Sequence, residues 1–177
     1  MQRYMRAELL IPAGFIVLVA PARAVTYLSV EQAQQAIFPG AKFTPDFRKL
    51  TDAEVARIEK ESDTTAYSRE VKCWKVDAGG WFIVDEVIGK HEFITYAVGL
   101  DAGGAVQGIE IMDYRETHGG EIRQPSWRAQ FHGRKHGEAL KLEDDIQNIS
   151  GATLSCKHVT DGVRRLLTFY DLVLKGR

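Results

Sequence analysis

A chain of 177 residues, 45% hydrophobic and 27% charged with a formal net charge of −1, is long enough to bury one core without disulfide or metal staples. This composition excludes low-complexity, collagen-like and disordered classes. The near-neutral charge, with no basic patch and no nucleic-acid-binding signature, argues for no nucleic acid among the partners.

The first residues read as a targeting segment. Met1 to Arg6 carries two arginines, Ala7 to Ala20 is largely apolar, and Ala22-Arg23-Ala24 ends in a small-x-small pattern, so residues 1–24 are expected to be a cleaved signal peptide. The apolar stretch is shorter than a bilayer span and contains Glu8 and Pro12, which weighs against an uncleaved anchor as the other reading. No cysteine follows closely enough to suggest a lipoprotein. Removing this segment, with Arg3, Arg6, Arg23 and Glu8, leaves a net charge of −3. The expected location is periplasmic or otherwise extracytoplasmic, with membrane association through partners or an uncleaved N-terminus as the variant of that reading.

Ser29-Val30-Glu31-Gln32 has the shape of a capping box and predicts a short helix to about Phe38, where Pro39-Gly40 stops it. Thr51-Asp52-Ala53-Glu54 repeats the signal and predicts a second helix to about Glu61. From Ser68 the period changes. Val71, Cys73-Trp74 and Val76 precede Gly79-Gly80, the expected turn, and Trp81 to Val84 with Val87-Ile88 continues as a strand. Phe93 to Leu100 and Ala105 to Met112, joined by Asp101-Ala102-Gly103-Gly104, predict a second hairpin. Strict alternation would put Val106, Gly108, Glu110 and Met112 on one face and Gln107, Ile109 and Ile111 on the other. Both faces are then partly apolar and call for helices on each; Gly108 is the expected point of close backbone approach.

After Tyr114 the regular pattern lapses through Arg115 to Ile122, and a short helical piece is expected from Ser126 to Phe131. The final stretch places Val159, Val163, Leu166, Leu167, Tyr170 and Leu174 at steps of three and four, one apolar face of a helix. Helices and strands are segregated more than alternated, which predicts an α+β fold: an antiparallel sheet built from hairpins, packed against N-terminal helices and a C-terminal helix. The expected organisation is residues 25–87 as N-terminal helices and first strands, and residues 88–177 as the functional domain.

The chemistry concentrates in Ser150-Gly151-Ala152-Thr153-Leu154-Ser155, directly before the terminal helix. Small residues let backbone N–H groups approach an anion, Thr153 and Ser155 add hydroxyls, and the helix N-terminus supplies unpaired donors, so the run is a candidate phosphate cradle. The bland alternative is an ordinary helix cap, with Thr153 or Ser155 accepting a first-turn N–H.

The same run resembles the Ser-Gly-Ala-Thr-x-Thr/Ser motif of the FMN-binding domain family, found in sodium-pumping NADH:quinone oxidoreductases, Rnf-type complexes and small extracytoplasmic flavoproteins. Glu116-Thr117-His118-Gly119-Gly120 resembles that family's Glu-Thr-Pro-Gly-Leu-Gly loop, Trp127-x-x-Gln130-Phe131-x-Gly133 resembles the segment after it, and Gly89-Lys90-His91 resembles stand-alone members. Their order along the chain agrees over about residues 88 to 172. The resemblance implies covalent flavinylation of Ser155 through the FMN phosphate, with Ser150, Gly151, Ala152 and Thr153 around the phosphate and Glu116, Thr117, His118, Gly119 and Gly120 near the ring. It implies a flavin transferase that moves FMN from FAD with release of AMP, and membrane or periplasmic redox proteins as partners for an electron-transport flavoprotein. Three features depart from the pattern: Ser155 for the usual Thr, Gln147 for an acidic residue, and His118-Gly119-Gly120 for Pro-Gly-Leu-Gly. Asp144 or Asp145 could stand in for the missing acid.

Other readings remain open at this level. A flavin-dependent reductase of a small substrate and a flavin-free extracytoplasmic binding module both accommodate the sequence. His132 and His136 with His118 or His158 have the residue types of a metal site. Cys73 and Cys156 form no Cys-x-x-Cys pair, and a disulfide between them is compatible with an oxidising compartment. Cys156 at a helix start is either a thiol of lowered pKa or a buried inert one.

Overall fold

The computed structural model describes residues 25–26 and 28–176; the expected signal peptide, residues 1–24, lies outside them. In chain order the elements are β1 (Val25–Thr26), α1 (Val30–Ile37), β2 (Phe43–Pro45), β3 (Arg48–Lys49), α2 (Asp52–Ser62), β4 (Glu70–Val76), β5 (Trp81–Ile88), β6 (Phe93–Leu100), β7 (Val106–Tyr114), α3 (Pro125–Arg128) and α4 (Thr153–Phe169). The strands form an antiparallel sheet in the order β1-β7-β6-β5-β4-β2, with β3 also pairing β4. This is the expected α+β class.

Both N-terminal helices start where their capping boxes predict. The Ser29 hydroxyl accepts the Gln32 N–H while the Gln32 side chain accepts the Ser29 N–H at 2.8 Å, and Thr51 and Glu54 repeat the exchange for α2. Each box satisfies two of the donors that a helix start leaves unpaired.

Helices cover both faces of the sheet. On one, Ala33 and Ile37 of α1 pack on Val76, Phe82, Ala97 and Met112. On the other, α4 lies over β5 and β6 with Ile83, Val87, Tyr96, Val98, Ile109 and Ile111 in the same core, and α2 packs against α4. The predicted face of α4 is buried throughout, and the helix passes at Tyr170 into a π-helical turn that ends at Leu174. Val159, Val163, Leu166 and Leu167 are each 3% exposed or less, so burial of each side chain contributes about 1.5–3 kcal/mol. Gly162 lets α4 come close: a Cβ there would stand 2.8 Å from Val87 Cγ1 and collide with the Tyr96 hydroxyl.

Polar contacts fix α4 in place as well. Arg165, nearly buried, pairs with Asp85 of β5 and donates to the Thr65 and Glu86 carbonyls, and Tyr96 of β6 donates to Asp85 at 2.8 Å. Arg164 donates to the Ser62 carbonyl at 2.7 Å, tying the end of α2 to α4.

The predicted alternation along β7 is broken. Its pairing with β6 shifts register between Gly99/Leu100 and again between Thr95/Tyr96. Val106 therefore joins Ile109, Ile111 and Tyr114 in the core beneath α4, while Met112 belongs to the core beneath α1. A bulge adds one residue to one strand, which flips every side chain beyond it. The close approach of α1 also falls elsewhere than expected. A Cβ at Gly108 would meet Ile37 only at an ordinary 3.6 Å, whereas one at Gly99 would run into Ile37 and Phe38.

Candidate functional site

Tyr114 ends β7, and the chain beyond it runs through Arg115 to Gly119 into a 3-10 turn at Gly120–Arg123 before α3. The Ser150 to Ser155 segment approaches the same place from the other side. Ser150-Gly151 is a turn, Ala152 is the N-cap of α4, and its methyl side chain offers no hydrogen bond. Thr153 and Ser155 are already helical, so the ordinary capping role is not theirs. The Cys156 N–H to Ala152 carbonyl bond, 2.9 Å, opens the helical ladder, and the N–H groups of Thr153, Leu154 and Ser155 precede it.

Between these segments lies a cleft of about 460 Å³ lined by Lys90, His91, Glu116, Thr117, His118 and Gly151 through Ser155. That size lies within the range of about 300–1,000 Å³ usual for small-ligand sites. Of the residues singled out in the sequence, Gly151, Ala152, Thr153, Ser155, Glu116, Thr117 and His118 meet here; Ser150, Gly119 and Gly120 do not line the cleft. Gly119 is buried behind it.

Glu116 faces its own scaffold. Its carboxylate accepts the backbone N–H groups of His91 and Glu92, the latter at 3.0 Å, and so holds the β5–β6 connection at the rim of the cleft. Burial tends to raise its pKa, but the N–H bonds from Glu92, His91 and Lys90 outweigh that and lower it from 4.5. The bonding is specific, so a loose solvated turn is excluded for this residue. Thr117 Oγ1 lies 2.9 Å from His118 Nδ1. Lys90 adds a cationic side chain and His91 an imidazole to the lining of the cleft, which the N-terminus of α4, the positive pole of that helix, also borders.

Two hydroxyls in the first turn of α4 differ in setting. Thr153 is exposed, and its Oγ1 accepts from Asn148 Nδ2 at 3.0 Å. Ser155 is 5% exposed, and its Oγ lies 2.8 Å from the Tyr114 hydroxyl, which also donates to the His118 carbonyl.

The remaining sequence readings find their places away from this cleft. Gln147 receives the Trp127 indole N–H on its carbonyl at 2.8 Å and gives its own N–H to Gln130, and neither Asp144 nor Asp145 lines the cleft. His132 Nδ1 lies 3.0 Å from the Gln107 carbonyl and His136 faces Asp171 at 3.5 Å; among the described residues no cluster of three metal-ligating side chains forms. Cys73 and Cys156 are both free and buried. Burial pushes the Cys73 thiol up to about 12, and it also raises Cys156, against the lowering that a helix start could bring. Sequence reasoning gave no role to Tyr114, Lys90 or His91. The basic pair stands next to Gly89 in a strand connection, a legible signal, but nothing local marks Tyr114, whose partner is 41 residues away.

An antiparallel α+β sheet here brings an uncapped helix N-terminus, a buried hydroxyl, a lysine and a histidine to one cleft, features that suit a phosphate-bearing ligand. Residues 89–168 match the model of the FMN-binding domain family. It is similar to one of the subunits of the Na(+)-translocating NADH-quinone reductase, both in Vibrio anguillarum and in Vibrio vulnificus strain YJ016, each 36% identical over 84 residues, covering 38% of this chain and 31% of the relative. One of the subunits of the Na(+)-translocating ferredoxin:NAD(+) oxidoreductase complex of Acetobacterium woodii is 31% identical over 91 residues, covering 46% of this chain and 44% of its own length. The chain thus spans less than half the length of the curated relatives it matches. FMN is the cofactor that this kinship indicates.

Proposed function

We propose that this protein is an extracytoplasmic flavoprotein that carries FMN through a phosphoester to Ser155 and relays electrons between membrane or periplasmic redox proteins. The observation that carries the reading is Ser155: a hydroxyl in the first turn of a helix whose N-terminus has no side-chain cap, lining a cleft of about 460 Å³. The N–H groups of Thr153, Leu154 and Ser155 would hold the phosphate, with Gly151 and Ala152 leaving room for it. Lys90 and His91 would offset its charge, and Thr117 and His118 would contact the ring. Glu116 would serve by holding the loop that presents Lys90 and His91.

When bound, FMN supplies reversible one- and two-electron redox chemistry, and the protein supplies position and electrostatics. A covalent bond suits a compartment where free flavin is dilute, because tethering makes occupancy independent of its concentration. The flavin transferase implied by family resemblance would be the maturation partner, and the names of the relatives support membrane redox complexes as the setting.

Expression in a flavinylating host should give a fluorescent yellow band that survives denaturing electrophoresis, with an intact mass matching one FMN residue and cleavage after Ala24. Ser155→Ala should abolish the band and Thr153→Ala should keep it. Undiminished labelling of Ser155→Ala would overturn the attachment site, and a native protein without flavin would overturn the function.

A further inference from the structure

We propose that Tyr114 is the positioning residue for modification of Ser155, fixing the direction in which the serine hydroxyl presents its proton and lone pairs; this rests on the reading of Ser155 as the flavin attachment point. Tyr114 stands at the last position of β7, and its side chain is 4% exposed, so its ring is held by packing. A phenol has one proton to donate. Here that proton is committed to the His118 carbonyl. The contact of 2.8 Å with Ser155 Oγ must then run the other way, with the serine donating and the phenolic oxygen accepting. The serine O–H is thereby aimed at Tyr114, and both lone pairs of Oγ are left for other partners.

The backbone makes this arrangement possible at Gly119. Its φ is +93°, and a Cβ there would lie 2.5 Å from the Tyr114 hydroxyl and 2.8 Å from Ser155 Oγ. A side chain at 119 would enter the contact between the two oxygens. One glycine therefore closes the Tyr114 to His118 turn while leaving the serine and tyrosine hydroxyls adjacent.

The chemistry needs such an arrangement. In the transfer, the Oγ–phosphorus bond forms while the pyrophosphate P–O bond of FAD breaks, AMP leaves with the bonding electron pair, and the Oγ proton is lost to solvent. A serine hydroxyl free to rotate in a buried helix turn would spend its time bonded to backbone carbonyls in unproductive directions. Tyr114 holds it in one rotamer, polarises the O–H bond and keeps the attacking lone pairs clear. Once the ester exists Oγ has no proton, and Tyr114 loses the donor it faced, so its influence falls on formation of the linkage.

The experiment measures the initial rate of covalent labelling of the full chain by purified flavin transferase with FAD and a divalent metal, read as in-gel flavin fluorescence, alongside the thermal unfolding midpoint. Tyr114→Phe, which keeps the ring and removes the oxygen, should label about tenfold more slowly while reaching wild-type stoichiometry. Replacement of Tyr114 by 3-fluorotyrosine, nearly isosteric with a less basic phenolic oxygen, should slow labelling by about threefold without moving the unfolding midpoint. A purely structural role for the tyrosine would leave the fluorotyrosine protein at the wild-type rate. That result, or a wild-type rate in a folded Tyr114→Phe, overturns the proposal while leaving Ser155 as the attachment site. If Tyr114→Phe does not fold, the fluorotyrosine rate decides. Wild-type protein labelled at a residue other than Ser155, or not at all, removes both this proposal and the reading beneath it.

Discussion

Glu116 spends its charge on backbone N–H groups rather than on solvent, and that choice has a pH signature. Its pKa is lowered from 4.5 in the folded protein, so the stabilisation is fully present above 4.5 and is lost as pH falls through the folded value. The urea midpoint of wild type should exceed that of Glu116→Gln near neutrality, and the gap should shrink as pH drops below 4.5; a gap constant down to pH of about 3 would refute the clamp. Glu116→Ala, which leaves the His91 and Glu92 N–H groups without their acceptor, should cost about 1–2 kcal/mol by denaturant titration. At Ser155, substitution by Thr keeps a hydroxyl and should retain the covalent band, whereas Ser155→Cys should lose the fluorescent ester. Residue types at the cleft were legible because serine, glycine and threonine before an amphipathic stretch have few uses. The Tyr114 contact was not, because a hydrogen bond spanning 41 residues leaves no local pattern.

At the scale of elements, two helices are pressed onto the sheet through glycine, one on each face. Gly99→Ala and Gly162→Ala should each destabilise by about 1–3 kcal/mol through overpacking, while Gly108→Ala should stay within about 0.5 kcal/mol of wild type, all read from denaturant midpoints. Equal effects at Gly99 and Gly108 would contradict the placement of α1. Asp85→Ala, which strips Arg165 of its carboxylate while the guanidinium remains buried, should cost about 3–5 kcal/mol. Helix starts and hairpins could be read in advance because capping boxes and glycine turns are local devices. The bulges of β7 could not: Val106-Gln107-Gly108-Ile109 carries no mark of the extra residue, and only pairing with Gly99 and Leu100 across the sheet reveals which side chains turn inward.

At the scale of the whole molecule, residues 25–87 and 88–177 share one sheet, for β5 pairs with β6 from Trp81↔Leu100 to Ile88↔Phe93. The apolar side of the flavin-family segment is completed by Ala33 and Ile37 from α1 and Ile58 from α2. A single cooperative unfolding transition is expected for residues 25–177, with coincident fluorescence and circular dichroism curves, and a fragment of residues 88–177 alone should lack a resolved transition. A stable, cooperatively folded fragment would show that the N-terminal third is an appendage. The α+β class and the order of the longer elements followed from periodicity, capping boxes and glycine turns, whereas the short strands β1, β2 and β3 and this interdependence depend on which strands become neighbours.

The pairing of β1 with β7 has a mechanical side. Val25 lies opposite Tyr114, the residue whose hydroxyl meets Ser155. The beginning of the described chain is therefore stitched to the strand end behind the cleft. With cleavage after Ala24 the mature chain would start at β1 itself, so its first two residues would close the sheet edge next to the strand end that holds Tyr114.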